Sequence, residues 1–190
     1  KTIQMDRITS DLEDVLSSNK INIVYSGALG EKQNPKGLYR FFEYASKHIK
    51  NTEFHFFSQG QIFEDLKGKN KSNSIKFHDL VPKKNIEELY YRSDVQIIPQ
   101  LPFTSKGSLP SKLPNLLMSG CKVLFITDAG SEIETLFNKY NLDKVATSWD
   151  NDILLQSLCS LLEKEDFNDE NHKAVANKLF SIESMINKII

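Results

Sequence analysis

The sequence has few of the features that mark disulfide-rich, membrane-spanning or polyanion-binding proteins. Its 190 residues include only two cysteines, too few for a disulfide framework or a zinc cluster. Its apolar runs are only a few residues long, whereas a membrane-spanning helix needs about 20. No signal peptide is visible at its start. The 24 basic and 25 acidic side chains nearly cancel, which argues against a dedicated nucleic-acid binder or a polybasic membrane protein.

Several common site motifs are absent as well. No Gly-x-Ser-x-Gly segment is present to anchor a hydrolase triad, and no glycine-rich loop continues into the Lys-Ser or Lys-Thr of a P-loop. The histidines show no metal-type spacing to cysteines or acidic residues. The sequence therefore predicts no metal site.

What the sequence does contain is a regular alternation of β-rich and amphipathic segments. The β-rich runs predict strands over 21–26, 53–58, 74–78, 95–98, 122–127 and 144–147. Helical spacing of apolar residues predicts the intervening helices, with Asn34, Asn85 and Asp150 as N-caps. This alternation predicts an α/β fold: a Rossmann-like, doubly wound parallel sheet of about six strands with helices on both faces.

The chain is predicted to form one domain. A lead-in helix or interdomain segment is expected over 1–20, the α/β core over 21–165 and C-terminal helices over 166–190. The first residue is Lys1 rather than Met, so we expect a fragment of a longer protein.

Ligands of such sheets bind on the loops that follow the carboxyl ends of the strands. In the first loop, Gly27 and Gly30 let the backbone approach a ligand, and Lys32 and Lys36 add positive charge. A turn that merely connects strand and helix is an equally good interpretation. No acidic residue follows the second strand, as a dinucleotide enzyme would need for the ribose, so an NAD dehydrogenase is disfavoured.

A second candidate segment precedes the helix predicted over 111–119. Pro110, Ser111 and Lys112 bring a hydroxyl, an ammonium and exposed N–H groups to a helix start, which suits a diphosphate. Taken alone, a serine cap beside a solvated lysine is the simpler interpretation. The turn from Asp128 to Glu132 brings carboxylates to another strand end, where Glu132 would complement the helix dipole.

In this order and spacing, these segments resemble the C-terminal, donor-binding domain of the retaining GT-B glycosyltransferases of family 4. The strand and loop at 24–30, with Lys36-Gly37 behind them, resemble the opening of that domain. The segments 74–91 and 93–99 resemble its following strands and helix. The Leu-Pro-Ser-Lys-Leu run at 109–113 resembles the subgroup that acts in bacterial polysaccharide and lipopolysaccharide synthesis.

The resemblance implies transfer of a hexosyl or N-acetylhexosaminyl group from a UDP- or GDP-sugar to a glycan or lipid-linked acceptor, with retained anomeric configuration. It implies no cofactor and no metal, because Lys32, Lys36 and Lys112 would stabilise the leaving diphosphate. The residues that it implies for donor binding are Gly27, Gly30, Gly60, Leu80, Val81, Pro110, Ser111, Asn115, Gly130 and Glu132.

The resemblance also implies a partner domain and a cellular location. Its site lies between two domains, so an N-terminal acceptor-binding domain of the same polypeptide is the implied partner, and this chain is expected to be inactive alone. A cytoplasmic location is implied, and a lipid-linked acceptor would bring the intact enzyme to the inner face of the membrane. No nucleic-acid partner is expected.

Some positions depart from the family pattern. Ala28 stands where members often have an arginine, and Gly107 and Asn115 stand at the paired glutamates. Asn115 could still form hydrogen bonds with ribose hydroxyls, but Gly107 has no side chain that could replace a carboxylate. Two alternatives therefore stay open: a non-catalytic nucleotide-binding or interaction module, and a GT-B sugar-nucleotide epimerase, which the lack of an acid/base group in these loops disfavours. The sugar, the base, the acceptor and the oligomeric state stay undetermined.

Overall fold

The structure is a computed structural model of the chain, and it describes residues 11–104, 110–164 and 169–180. Six parallel strands form one sheet in the order β3-β2-β1-β4-β5-β6. The strands are β1 (Ile21–Ser26), β2 (Thr52–Phe57), β3 (Ile75–His78), β4 (Val95–Pro99), β5 (Lys122–Ile126) and β6 (Lys144–Ala146). The predicted Rossmann-like fold is confirmed, and every predicted strand end lies within one residue of the observed one.

Helices cover both faces of the sheet. They are α1 (Asp11–Val15), α2 (Pro35–His48), α3 (Gln61–Lys69), α4 (Ile86–Arg92), α5 (Leu113–Ser119), α6 (Glu132–Tyr140), α7 (Asn151–Leu162) and α8 (Asp169–Phe180). The apolar residues of α2, α3 and α7 form one core with the sheet. Those of α1, α4, α5, α6 and α8 form the second core on the opposite face. The sheet is therefore buried between two helical layers.

Phenylalanines dominate the first core. The ring of Phe42, on α2, lies 5.0 Å from that of Phe54 and 4.8 Å from that of Phe56, both on β2. All three side chains are fully buried. Burial of one such side chain stabilises a protein by about 1.5–3 kcal/mol, so this cluster fixes α2 on the sheet.

Local signals at the helix starts were partly right. The Asn34 side chain accepts a hydrogen bond from the Gly37 N–H at 3.2 Å, and Asp150 accepts from two N–H groups of α7. Asn85 occupies the N-cap position of α4 as predicted, but its side chain makes no capping hydrogen bond. A 3₁₀ turn over Lys83–Asn85 leads directly into α4, so the helical backbone begins before Asn85.

Some expectations fall on the residues outside the described ranges. Gly107, the first part of the lead-in segment and the last ten residues of the chain are among them. In the ranges that the structure describes, no helix has the length and apolar character needed to cross a membrane.

Candidate functional site

The strand order reverses between β1 and β4, since β1 continues to β2 on one side and pairs with β4 on the other. At this point the carboxyl ends of the strands border a cavity of about 430 Å³, a volume within the range of small-molecule sites. Doubly wound sheets bind their ligands at such a switch point. Of the predicted site residues, those that line the cavity are Gly27, Leu80, Val81, Pro110, Ser111 and Lys112.

Lys112 is the only charged side chain among the described residues that line this cavity. Its ammonium lies 2.9 Å from the carbonyl oxygen of Ser26 and 5.2 Å from the ring centroid of Tyr25. Burial of this ammonium lowers the pKa of Lys112 to about 8, because the charged form loses hydration. A half-buried cation without a carboxylate beside it in the cavity wall favours an anionic ligand.

A chain of buried hydrogen bonds fixes the wall between β1 and β4. The Ser26 hydroxyl donates to Gln96 Oε1 at 3.0 Å, and Gln96 Nε2 donates to the Ser93 hydroxyl at 3.0 Å. The Ser93 hydroxyl donates in turn to the Leu89 carbonyl at 2.6 Å. Sequence reasoning missed Gln96, although a glutamine inside an apolar strand was a usable signal.

Gly27 connects the first loop to β2. Its φ of 127° lies in the region that favours glycine, and a Cβ atom there would meet nothing within 4 Å. Its N–H donates to the Phe57 carbonyl at 3.0 Å, and its carbonyl accepts from the Ser58 hydroxyl at 2.7 Å. Backbone conformation therefore explains this glycine, and the loop that it forms is fixed at the cavity edge.

The opposite edge of the cavity is held through Gln100. Its N–H donates to the Ile126 carbonyl at 2.8 Å, its Oε1 accepts from the Thr127 hydroxyl at 2.8 Å, and its carbonyl accepts from Trp149 Nε1 at 3.1 Å. The indole N–H of Trp149 therefore positions a cavity-lining residue that is 49 residues away in the chain.

Two tyrosines missed by the sequence analysis also line the cavity. The Tyr25 hydroxyl donates to the Ala28 carbonyl at 2.6 Å. Burial raises the pKa of Tyr25 and of Tyr90 above the ordinary value for tyrosine. Both phenols therefore stay neutral, which leaves the positive charge of Lys112 uncompensated by phenolate.

Other predicted site residues lie outside the cavity wall. Lys32 and Lys36 are exposed, in the β1–α2 loop and the first turn of α2, and Gly30 donates its N–H to Gln33 Oε1 at 3.0 Å. The others lie at the starts of α3 and α6 or on the exposed side of α5: Gly60, Gly130, Glu132 and Asn115. Their roles in donor binding stay predictions.

The start of α5 differs from the prediction. The helix begins at Leu113, so the exposed Ser111 lies in the turn before it, and Lys112 occupies the cap position without a side-chain capping bond. Pro114 falls in the first helical turn, where its missing N–H costs no helical hydrogen bond.

No metal centre can be assigned in the described ranges, since no three His, Cys, Asp or Glu residues there are grouped so as to hold an ion. The wall is instead made of apolar side chains, neutral polar groups and one ammonium. This arrangement can bind an anionic ligand with an apolar part.

Solved structures share this architecture. The C-terminal domain of a glycosyl transferase group 1 family protein, LpcC from Francisella tularensis, superposes with a TM-score of 0.69 at 14% identity, over 90% of this chain and 91% of that one. This is the fold of a GT-B C-terminal domain. TarM gives a TM-score of 0.72 at 9% identity over 90% of this chain and 34% of TarM.

Sucrose-phosphate synthase from Thermosynechococcus elongatus gives a TM-score of 0.73 at 12% identity, over 95% of this chain and 47% of the enzyme. The chain therefore spans about a third and about half of these two longer proteins. No model of a known protein family matches the sequence, and no curated protein matches it either. At these identities the likeness concerns the fold.

Proposed function

We propose that this chain is the donor-binding domain of a retaining glycosyltransferase. The donor is a UDP- or GDP-sugar, and the acceptor is a glycan or a lipid-linked sugar in cell-surface polysaccharide synthesis. The observation that carries the proposal is the position of Lys112, a half-buried cation in the switch-point cavity of a fold shared with a glycosyl transferase domain.

The chemistry of the wall suits such a donor. Negative charge grows on the leaving diphosphate as the glycosidic bond breaks, and a cation that is already in place lowers the barrier without reorganisation. Lys112 is the residue proposed for this role. Leu80 and Val81, in the loop after β3, present apolar groups and backbone to a base at the other end of the cavity.

The acceptor site is assigned to the rest of a longer protein. Because this chain spans about half of sucrose-phosphate synthase, transfer is expected to need a second domain. The chain alone is expected to bind a nucleoside diphosphate weakly and to show no turnover. The retaining outcome rests on the resemblance of the ordered segments to the family, and the role in polysaccharide synthesis rests on the run at 109–113.

Calorimetric titration of UDP and GDP into the 190-residue chain tests this function. Lys112→Ala should weaken diphosphate binding by about 1–3 kcal/mol, as expected for a charge-assisted contact. Lys139→Ala, which removes an exposed lysine from α6, is the matched control and should leave the affinity unchanged. If neither UDP nor GDP binds at millimolar concentration, the proposal is overturned.

A second candidate function follows from Ala28. It lines the cavity at the position where members of the resembling family often carry an arginine, so the wall has one cation fewer. A non-catalytic nucleotide-binding module of the same fold would bind UDP or GDP and show no transfer even in the intact protein. Sugar transfer by the intact protein excludes this candidate.

A further inference from the structure

Phe103, in the loop after β4, combines exposure with an unfavourable backbone conformation. Its side chain is 95% exposed, and its φ is 66°, in a region that bulky residues rarely adopt. The other described non-glycine residues with positive φ are asparagines, which tolerate it well: Asn34, Asn51 and Asn141. Neither burial nor local preference explains the conformation of Phe103.

Hydrogen bonds from neighbouring segments hold this loop in place. Both carboxylate oxygens of Asp128, which follows β5, accept from the Phe103 N–H at 3.0 and 2.9 Å. The Leu101 N–H donates to the Lys32 carbonyl at 2.7 Å, and the Thr104 hydroxyl donates to the Leu101 carbonyl at 2.6 Å. The surrounding structure therefore imposes the strained conformation and directs an aromatic ring outward, a pattern found at functional sites.

The position of this loop relative to the cavity indicates what the ring would meet. Along the carboxyl edge, the strands follow in the order β3, β2, β1, β4 and β5. Leu80 and Val81 lie after β3, the Lys112 ammonium contacts the end of β1, and Asp128 follows β5. With strands about 4.8 Å apart, the β1 and β5 ends are separated by about 10 Å, and the β3 and β5 ends by about 19 Å.

We propose that Phe103 is a specificity-determining residue for the sugar of the donor, with Asp128 as the residue that positions it. The inference rests on the proposed function. With the base at the β3 end and the diphosphate at Lys112, the sugar extends towards β4 and β5. There the negative face of the Phe103 ring would contact the C–H groups on one face of a hexose, in the same electrostatic sense as edge-to-face aromatic pairs.

The test separates the contribution of the sugar from that of the nucleotide. Dissociation constants of UDP and GDP are compared with those of UDP-glucose and GDP-mannose on the 190-residue chain. Phe103→Ala should reduce the extra affinity due to the sugar by about three- to tenfold, with UDP and GDP binding unchanged. Tyr91→Ala removes an aromatic ring that is 61% exposed on α4 and should have no effect.

A second variant separates this role from a structural one. Phe103→Gly should shift the unfolding midpoint to higher denaturant concentration, because glycine adopts positive φ without strain. It should nevertheless lose the sugar contribution as fully as Phe103→Ala does. Asp128→Asn, which replaces one accepting oxygen by an NH₂ group, should reduce the sugar contribution without changing UDP or GDP binding.

The outcomes distinguish this inference from the proposed function. Suppose that UDP or GDP binds, but the sugar adds the same affinity in the wild-type chain and in Phe103→Ala, or adds none in the wild type. The role of Phe103 is then overturned, and the proposed function stands. If neither nucleotide binds, the proposed function fails and the inference fails with it.

Discussion

The Lys112 ammonium donates a hydrogen bond to the Ser26 carbonyl oxygen, 2.9 Å away, and so joins the start of α5 to the end of β1. Strand β1 pairs with β4 only at Ile23 and Val24, so Ser26 lies beyond that ladder. The lysine therefore bonds β1 beyond the residues that pair with β4. A single side chain therefore contributes to the fold and supplies the positive charge of the cavity.

The pH dependence of diphosphate binding should reveal this lysine. Because burial lowers the pKa of Lys112 to about 8, its charged fraction falls as the pH rises from 7 to 9. Affinity for UDP or GDP should fall over this interval, and binding near pH 8 should take up a proton. Calorimetry in buffers of different ionisation enthalpy measures that proton. Lys112→Gln should show no uptake, and a wild-type affinity that is constant over this interval would contradict the assignment.

Lys112 should also make the stability of the domain depend on pH. Its pKa in the folded chain is lower than the ordinary value of 10.5, so between about pH 8 and 10.5 the unfolded chain binds more protons. The free energy of unfolding should therefore rise with pH in this interval. Urea denaturation of the wild type and of Lys112→Met checks this, since the methionine variant should lack this contribution to the rise. If the unfolding free energy rises equally with pH in both chains, the Lys112 ammonium is well hydrated.

The histidine pair His55 and His78 should weaken the fold in acid. His55 Nδ1 lies 3.1 Å from His78 Nε2, and burial, aided by repulsion from Lys76, lowers their pKa values to about 3 and about 4. Both stay neutral in the folded chain, whereas in the unfolded chain they take up protons as the pH falls through the ordinary value of 6.5. At pH 5 the loss should be on the order of 2 kcal/mol for each histidine.

Denaturation at pH 7 and pH 5 measures this loss. The carboxylate of Asp79 opposes it by raising the pKa of His78, and that of Glu53 lies 3.9 Å from His55 Nε2. The double variant His55→Leu/His78→Leu removes both titrating groups together, so neither ring is left without its partner. Its stability should change less between the two pH values, and an unaltered pH dependence would show that other groups cause the acid loss.

The buried pair Ser26 and Gln96 should be energetically coupled. Ser26→Ala leaves Gln96 Oε1 without its donor in a fully buried position, which should cost about 1–3 kcal/mol of unfolding free energy. Gln96→Leu removes the unsatisfied group, so the double variant should lose less than the sum of the single changes. A double-mutant cycle from urea denaturation measures the coupling. Additive effects would mean that this bond contributes nothing beyond packing.

Elements that depend on neighbouring residues were predictable. The strands are buried on both faces, so they appear in the sequence as short apolar runs bounded by turn residues. The caps at Asn34 and Asp150 bond N–H groups two or three residues ahead and were equally visible. Asn85 takes the predicted cap position without a capping hydrogen bond, because a 3₁₀ turn over Lys83–Asn85 leads directly into the helix.

The candidate site was only partly predictable. The loops were identified, yet of the three lysines proposed for the diphosphate only Lys112 lines the cavity, while Lys32 and Lys36 face solvent. Loop membership follows from the order of elements along the chain. The direction of each side chain depends on how α5 and the 3₁₀ turn over Glu31–Gln33 are placed in the folded chain.

The sequence by itself determined the alternation of strands and helices, and with it a parallel sheet whose strand ends carry the site. Tertiary structure decided which residues meet there. Ser26 bonds Gln96 across 70 residues, Trp149 bonds Gln100 across 49, and Asp128 holds Phe103 across 25. The hydrophobic periodicity of the sequence does not predict such partners. It shows which face of a strand or helix a residue occupies, but not which distant residue it contacts.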